Sequence, residues 1–194
     1  MNGPASVTLF CGSRLGADPR FRQAAHDLGL GLARSARRLV YGGGRAGLMG
    51  VAADAALAAG GQVLGIIPEF LLRAELAHTG LSELVVTRTM HERKARLYVE
   101  SQAFVGLPGG IGTMDELIEA ITWRHLRQHE KPVLICDIAG SAAPFLAAIE
   151  AAIEHGFTGG EVRDMFEVLP SVPAVLARLD RLPPMTDGDA IAHL

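Results

Sequence analysis

The stretch of sequence that decides the fold is AFVGLPGGIGTMDE, at residues 103–116. Its first five residues are apolar and have the length of a buried strand, and a helical pattern begins at Thr113. Between them, Pro108–Thr113 forms a loop whose three glycines permit positive φ angles and close backbone approach. The stretch therefore predicts a strand, a tight glycine-rich turn and a helix in direct succession.

The same alternation of strand and helix continues on both sides of this stretch. Strands are predicted at residues 7–11, 39–41, 62–67, 84–87, 103–107 and 133–136. Helices are predicted at residues 18–37, 47–59, 90–100, 113–128, 142–155 and 172–179, whereas residues 69–81 show no clean period. We therefore expect an α/β fold, a single Rossmann-like domain with a doubly wound parallel sheet and helices on both faces. This domain is predicted to span residues 1–182, followed by a flexible tail at 183–194.

Composition narrows the class of protein. The 194 residues carry a formal charge of −3, so nothing in the balance of charges points to nucleic acid or to an acidic membrane as a partner. Residues 1–6 lack the features of a signal peptide, and no apolar run reaches the roughly 18 residues that span a bilayer. Cys11 and Cys136 both lie in apolar, strand-like runs, which favours reduced thiols in a cytoplasmic protein.

The glycine-rich loops are candidate ligand sites. In a doubly wound sheet, ligands bind beyond the carboxyl ends of the strands, where Gly12-Ser13, Gly42–Gly47 and Pro108–Thr113 are expected to meet. The free N–H groups at the start of the helix after Pro108 suit a phosphate, and Thr113 adds a hydroxyl donor. Two alternatives stay open: a tight turn without a ligand, and a capping box in which Thr113 and Glu116 are purely structural.

The loop at residues 42–47 also fits the dinucleotide pattern G-x-G-x-x-G, through Gly42, Gly44 and Gly47. It follows the second predicted strand, whereas the dinucleotide fingerprint usually follows the first. The acid expected to bind a ribose would be Glu69, which fits poorly. A dinucleotide-dependent oxidoreductase therefore stays an alternative.

Two further groups of residues bear on the chemistry. Arg93 and Lys94 are neighbours on a predicted helix, so they point about 100° apart and only one is expected to reach a pocket. An ordinary solvated helix face is the alternative for this segment. His125 and His129 are four residues apart on one helix face, but the sequence offers no third ligand, and we expect no metal.

Three motifs together resemble the Lonely Guy family, the cytokinin riboside 5′-monophosphate phosphoribohydrolases, some of which carry the older label of lysine decarboxylase. They are P-G-G-x-G-T-x-x-E at residues 108–116, G-G-G-x-x-G-L-M-G at 42–50 and M-H-x-R-K at 90–94. The resemblance covers roughly residues 7–179. It implies hydrolysis of the N-glycosidic bond of an N6-modified AMP, which releases the free base and ribose 5-phosphate without a cofactor.

The resemblance also implies roles for individual residues. Arg93 and Glu116 match the catalytic pair of the family. The implied substrate-binding residues are Ser13, Gly43, Gly44, Glu75, Met90, Lys94, Gly109, Gly110, Ile111, Gly112, Thr113 and Thr122. Asp115 stands where many relatives have Glu. The ligand would be a nucleotide monophosphate, and the protein a homodimer or higher homo-oligomer.

The chemistry of the residues agrees with this implication. Cleavage of an N-glycosidic bond builds positive charge on the sugar, and a carboxylate beside the ribose stabilises it and orients water. Glu116 lies close to the predicted phosphate loop and is placed for this role. A pyridoxal-dependent decarboxylase would need Lys94 or Lys131 for its Schiff base, and neither has a recognisable pyridoxal site around it. A non-catalytic nucleotide sensor or carrier is the main alternative.

Overall fold

The strands all lie side by side in one sheet. The computed structural model describes residues 5–73 and 77–183. The strands are β1 (Ser6–Phe10), β2 (Arg38–Tyr41), β3 (Val63–Pro68), β4 (Glu83–Thr87), β5 (Ala103–Gly106), β6 (Val133–Cys136) and β7 (Glu167–Leu169). They form a seven-stranded sheet in the order β4-β3-β2-β1-β5-β6-β7, and each neighbouring pair is parallel. The predicted α/β fold with a parallel sheet is confirmed.

Helices cover both faces of this sheet. They are α1 (Pro19–Arg34), α2 (Gly47–Ala58), α3 (Glu69–Arg73), α4 (Met90–Val99), α5 (Ile111–His125), α6 (Ala143–Glu154) and α7 (Val172–Leu179), with a 3₁₀ helix at Gly160–Met165. One core cluster joins α1, α2 and α7 to the sheet, and the second joins α4, α5 and α6 to the opposite face. Successive strand residues supply the two cores: Leu9 belongs to the first and Phe10 to the second.

Burial on both faces explains why the central strands read as continuous apolar runs. All the residues of β1, β3, β5 and β6 are buried. Three short elements were not predicted: the 3₁₀ helix at Gly160–Met165, one strand and one helix. Strand β7 has only three residues and lies at the edge of the sheet, and α3 has five residues inside the segment without a period. Neither is long enough to show a period in the sequence.

The ends of the chain and one internal segment fall outside the description. The predicted tail, residues 183–194, lies beyond the described residues apart from Pro183, whose carbonyl accepts a hydrogen bond of 2.8 Å from the Gln102 side chain.

Across the described ranges, no helix combines the length and apolar character that crossing a membrane requires.

The site of interest follows from the order of the strands. From β1 the chain adds strands in one direction, β2 to β4, and from β5 it adds them in the other, β6 and β7. The reversal leaves a crevice beyond the carboxyl ends of β1 and β5, where ligands bind in sheets of this type. The glycine-rich loop at residues 108–113 follows β5 directly and opens α5.

Candidate active site

Three loops meet at the crevice, as the sequence predicts. The Gly12 N–H, just after β1, donates to the Pro108 carbonyl at 3.1 Å. The Leu48 N–H, in the first turn of α2, donates to the Gly12 carbonyl at 3.0 Å. The loops after β1, β2 and β5 are therefore joined by backbone hydrogen bonds and form one surface.

Glycines permit this close contact. Gly47 has a φ of +63°, and a Cβ on it would lie 2.2 Å from the Ser13 carbonyl carbon. A Cβ on Gly109 would lie 2.1 Å from the Thr113 hydroxyl oxygen, and one on Gly42 would lie 2.4 Å from Arg93 Nη2. Gly42 and Gly47 are thus used for packing against the protein itself. This use disfavours the dinucleotide interpretation of residues 42–47.

Helix α5 begins two residues earlier than predicted. Its N-cap is Gly110, no side chain caps it, and the Met114 N–H makes a helical bond of 3.1 Å to the Gly110 carbonyl. The amide groups of residues 111–113 precede this bond and are the orphan donors of the helix start. Thr113 therefore lies inside the helix, so the capping-box interpretation is wrong. A helix start of this kind suits an anion.

The two predicted catalytic residues are in direct contact. Arg93 Nη1, on α4, lies 3.0 Å from Glu116 Oε1, on α5, and the two side chains are only 11% and 12% exposed. Arg93 is further fixed by donating from Nε to the Ile66 carbonyl at 3.2 Å and from Nη1 to the Met90 sulfur at 3.4 Å. The guanidinium is therefore held in place between the end of β3 and α5.

The surroundings of Glu116 set its protonation. Burial raises the pKa of the Glu116 carboxyl above its ordinary value, while the Arg93 guanidinium and then the Lys94 ammonium oppose that rise. The Tyr98 hydroxyl donates to the Glu116 backbone carbonyl at 3.3 Å, and this contact ties α4 to α5 beside the ion pair. Tyr98 was not predicted to be a site residue, because an aromatic residue in a helix usually indicates packing alone.

Lys94, the neighbour of Arg93 on α4, also reaches α5, although their spacing predicts that only one of the two faces the pocket. Its Nζ lies 2.7 Å from Asp115 Oδ2 and 3.3 Å from Glu119 Oε2, so it pairs with carboxylates of α5. The spacing of Asp115 and Glu119, one turn apart, is the signal that could have identified these partners. Lys131 is buried and donates from Nζ to the Tyr98 carbonyl at 2.7 Å. Since both lysines are engaged, the structure offers no support for a Schiff-base lysine.

Some of the predicted substrate-binding residues lie at one of two separate cavities. Ser13, Gly109, Gly110 and Ile111 line a cavity of about 560 Å³ at the crevice, and Thr113 is buried just behind it. Thr122 instead lies with His125 along a second cavity, of about 500 Å³, between α5 and α6. Thr122 follows Glu116 by six residues on α5, which separates the two residues by roughly 9 Å along the helix axis.

Residues 77–78 are hydrogen-bonded to the glycine-rich loop at residues 42–44. The His78 N–H donates to the Gly43 carbonyl at 2.9 Å, and Gly44 forms a β-bridge with Ala77. The His78 ring contacts the Asp54 carboxylate at 2.9 Å. Glu75, predicted to bind substrate, lies outside the described residues.

The histidine pair does not form a metal site in the described chain. His129 has both ring nitrogens occupied: Nε2 contacts the Ala120 carbonyl at 3.0 Å, and Nδ1 accepts from the Lys131 N–H at 3.1 Å. His125 faces the cavity between α5 and α6. Within residues 5–73 and 77–183, no group of three or more His, Cys, Asp and Glu side chains is arranged to hold a metal ion.

Comparison with solved structures agrees with the fold. The chain superposes on the molybdenum cofactor carrier protein from Chlamydomonas reinhardtii with a TM-score of 0.70, over 92% of this chain and 97% of that one. A molybdenum cofactor binding protein from Rippkaea orientalis gives the same TM-score over 93% and 97%. Sequence identity is 20% in both cases, so these similarities establish a shared architecture alone.

Comparison of sequences is more specific. Residues 49–179 match the model of a family described as "Possible lysine decarboxylase". The chain is 44% identical to a cytokinin riboside 5′-monophosphate phosphoribohydrolase of Rhodococcoides fascians, over 91% of this chain and 89% of that protein. It is 39% identical to an enzyme of the same name from Arabidopsis thaliana, over 94% and 80%. The chain therefore belongs to the Lonely Guy family, whose curated members include these cytokinin riboside 5′-monophosphate phosphoribohydrolases.

Proposed function

We propose that this protein hydrolyses the N-glycosidic bond of an N6-substituted adenosine 5′-monophosphate to the free base, a cytokinin, and ribose 5-phosphate. The observation that carries the proposal is the buried pair of Arg93 and Glu116, which lies within two turns of the uncapped start of α5. The names and high coverage of the curated relatives support the same activity.

In this proposal the start of α5 anchors the phosphate. The amides of residues 111–113 have no partner within the helix, and their dipoles favour an anion. The other proposed substrate contacts in this part of the site are Ser13, Gly43, Gly44, Met90, Gly109, Gly110 and Thr113. Because the ribose is bonded to the phosphate, the sugar is brought towards Glu116.

The reaction replaces the C1′–N9 bond by a bond from C1′ to water, and the departing base takes up a proton. Positive charge develops on the ribose as the base leaves. The Glu116 carboxylate stabilises that charge and orients the attacking water. Arg93 has two roles: its charge lowers the pKa that burial raises at Glu116, and its guanidinium presents N–H donors to the substrate.

The decisive experiment is the Glu116→Gln variant. Gln keeps the size of the side chain but removes the charge, so kcat is expected to fall by roughly 10²- to 10³-fold. The dissociation constant for AMP is expected to stay within a few-fold, because the phosphate contacts remain. Base release is followed by chromatography and nucleotide binding by calorimetry. Glu154→Gln, at the exposed end of α6, is the matched control and retains full activity.

Unchanged turnover in Glu116→Gln would remove the catalytic role of that residue. A wild-type protein that binds AMP without releasing any base would instead support the nucleotide sensor or carrier.

The identity of the base is tested with a pair of nucleotides. We propose a preference for N6-isopentenyl-AMP over AMP, in line with the names of the relatives. Rates of base release from the two nucleotides, measured side by side, check this. Equal rates, or no activity on either, would contradict the proposed substrate.

We further propose a cytoplasmic homo-oligomer. Several apolar side chains of α5 and of the segment after α6 are exposed, among them Ile111 at 87% and Phe157 at 85%. Such side chains are typical of a surface that is covered in an assembly. Cys11 and Cys136 are buried free thiols, which supports a reducing compartment.

A further inference from the structure

The charges at the proposed site leave a phosphate without a neutralising side chain. Arg93 pairs with Glu116, and Lys94 is shared between Asp115 and Glu119. Three carboxylates therefore face two cations. A 5′-phosphate brings a further charge of roughly −1.5 to −2, and the start of a helix offers only about half a positive charge in return. Another cation within reach of α5 would correct this imbalance.

The cavity at the crevice contains such a cation. It has a volume of about 560 Å³ and extends from the loop after β1 to residues 108–111. Among the described residues that line it, Arg14 alone carries a charge. Its side chain is exposed and makes no hydrogen bond or ion pair with any residue of the described chain, in contrast to Arg93 and Lys94.

The backbone of Arg14 is held close to the glycine-rich loop at residues 108–113. Gly12, two residues before it, donates to the Pro108 carbonyl at 3.1 Å. On the other side, the Arg14 amide nitrogen would lie only 2.3 Å from a Cβ on Gly47, so the two loops are in close contact. The point of attachment of the side chain is therefore held beside residues 109–111.

We propose that Arg14 binds the phosphate group of the nucleotide, as a planar cation that complements the backbone amides of α5. This inference rests on the proposed function, because the phosphate is that of its substrate. Arginine suits the task because its guanidinium donates two parallel hydrogen bonds to a phosphate. Arg14 is a binding residue in this proposal and takes no part in breaking the glycosidic bond.

The test compares a nucleotide with the nucleoside that lacks its phosphate. The Arg14→Gln variant is expected to raise KM for N6-isopentenyl-AMP roughly tenfold, with kcat within about twofold. KM for the nucleoside, or its inhibition constant if it is not cleaved, is expected to stay unchanged. Arg14→Lys keeps the charge without the planar fork and is expected to recover part of the loss.

A matched control removes the same charge elsewhere. Arg22 is an exposed cation of α1 outside the cavity, and Arg22→Gln is expected to leave KM unchanged. Binding of inorganic phosphate to wild type and Arg14→Gln, measured by calorimetry, tests the inference without any turnover. If the wild type binds inorganic phosphate but hydrolyses neither AMP nor N6-isopentenyl-AMP, the proposed function fails. The comparison of phosphate binding still tests the role of Arg14.

Two results would overturn the inference. One is an active wild type with the same KM in Arg14→Gln. The other is an equal loss of affinity for the nucleotide and the nucleoside, because that would mean a structural role for Arg14.

Discussion

At Glu116, burial and ion pairing act on the same proton in opposite directions. Burial raises the pKa of its carboxyl above the ordinary value, and Arg93 and Lys94 counteract part of that rise. Because the proposed reaction needs the carboxylate, kcat/KM is expected to increase with pH through this raised pKa. The acidic limb of the pH profile therefore lies above the ordinary range of a glutamate.

The Lys94→Met variant tests this balance. Without the ammonium, one of the charges that lower the pKa of Glu116 is gone, so the acidic limb of kcat/KM is expected to move to higher pH. A pH profile of kcat/KM measures the shift. The decrease in kcat/KM relative to the wild type is expected to be larger at pH 5 than at pH 7. Arg96→Gln, an exposed cation of α4 that pairs with Glu100, is expected to leave the limb in place. An unmoved limb in Lys94→Met would contradict the electrostatic role, even if KM rises through a lost substrate contact.

Sequence was sufficient to find some of these residues and not others. Arg93 and Glu116 stand in recognisable motifs, whereas the contact of both Arg93 and Lys94 with α5 was not predicted from their spacing. Arg14 stands in a loop, where no period relates a side chain to its neighbours. Its loop was predicted to lie near residues 108–113, but the folded chain is needed to show that the Arg14 side chain lines the same cavity as residues 109–111.

At the scale of elements, His129 connects the segment after α5 to α5 by hydrogen bonds and packing. It is 6% exposed, its ring contacts the Ala120 carbonyl, and it packs against Phe104 at 5.4 Å between ring centroids. Burial lowers the pKa of His129 to about 4. The unfolded chain therefore binds more protons than the folded one between about pH 6.5 and pH 4. Stability that is complete above this window is lost as the pH falls through it.

This linkage gives a prediction for the His129→Gln variant. From pH 7 to pH 5, the wild type is expected to lose about 2 kcal/mol more in free energy of unfolding than the variant. Urea unfolding at the two pH values measures the difference. His26→Gln, at an exposed histidine of α1, serves as the matched control. An identical pH dependence in His129→Gln and wild type would contradict the assignment.

The long elements were predictable from sequence because each buries a stripe or a full run of apolar residues. Strand β6 and helix α7 have the predicted bounds. The start of α5 was misplaced by two residues because Gly110 and Gly112 have low helix propensity, whereas the structure uses Gly110 as the N-cap. Strand β7 depends on its hydrogen bonds to β6 and has no pattern of its own.

At the scale of the whole molecule, an apolar surface on α5 is left uncovered within one chain. Ile118 is 46% exposed and lines the cavity between α5 and α6. If two chains associate through this surface, Ile118→Glu places a charge in the interface and is expected to reduce the mass of the protein in solution. The circular dichroism spectrum is expected to stay unchanged. Light scattering after gel filtration measures the mass.

The control for this prediction is Val86→Glu, on the edge strand β4, which is equally exposed at 46%. A monomeric wild type, or an Ile118→Glu variant with the mass of the wild type, would contradict the proposed assembly through α5.

The order of the strands in the sheet could not be predicted from the sequence. Alternation of strands and helices predicts parallel pairing, but it does not say which strands are neighbours. The pairing of β1 with β5 joins residues 7–10 to residues 103–106, a separation that no local pattern records.

That pairing has a consequence for the order in which the protein is made. The first four strands can pair with one another before the rest of the chain is made, since β1 pairs with β2, β2 with β3 and β3 with β4. The other edge of β1 pairs with β5, which is made later, and α5 follows β5 in the chain. A nascent chain that ends before residue 103 therefore holds half a sheet with an open central edge, a state prone to aggregation.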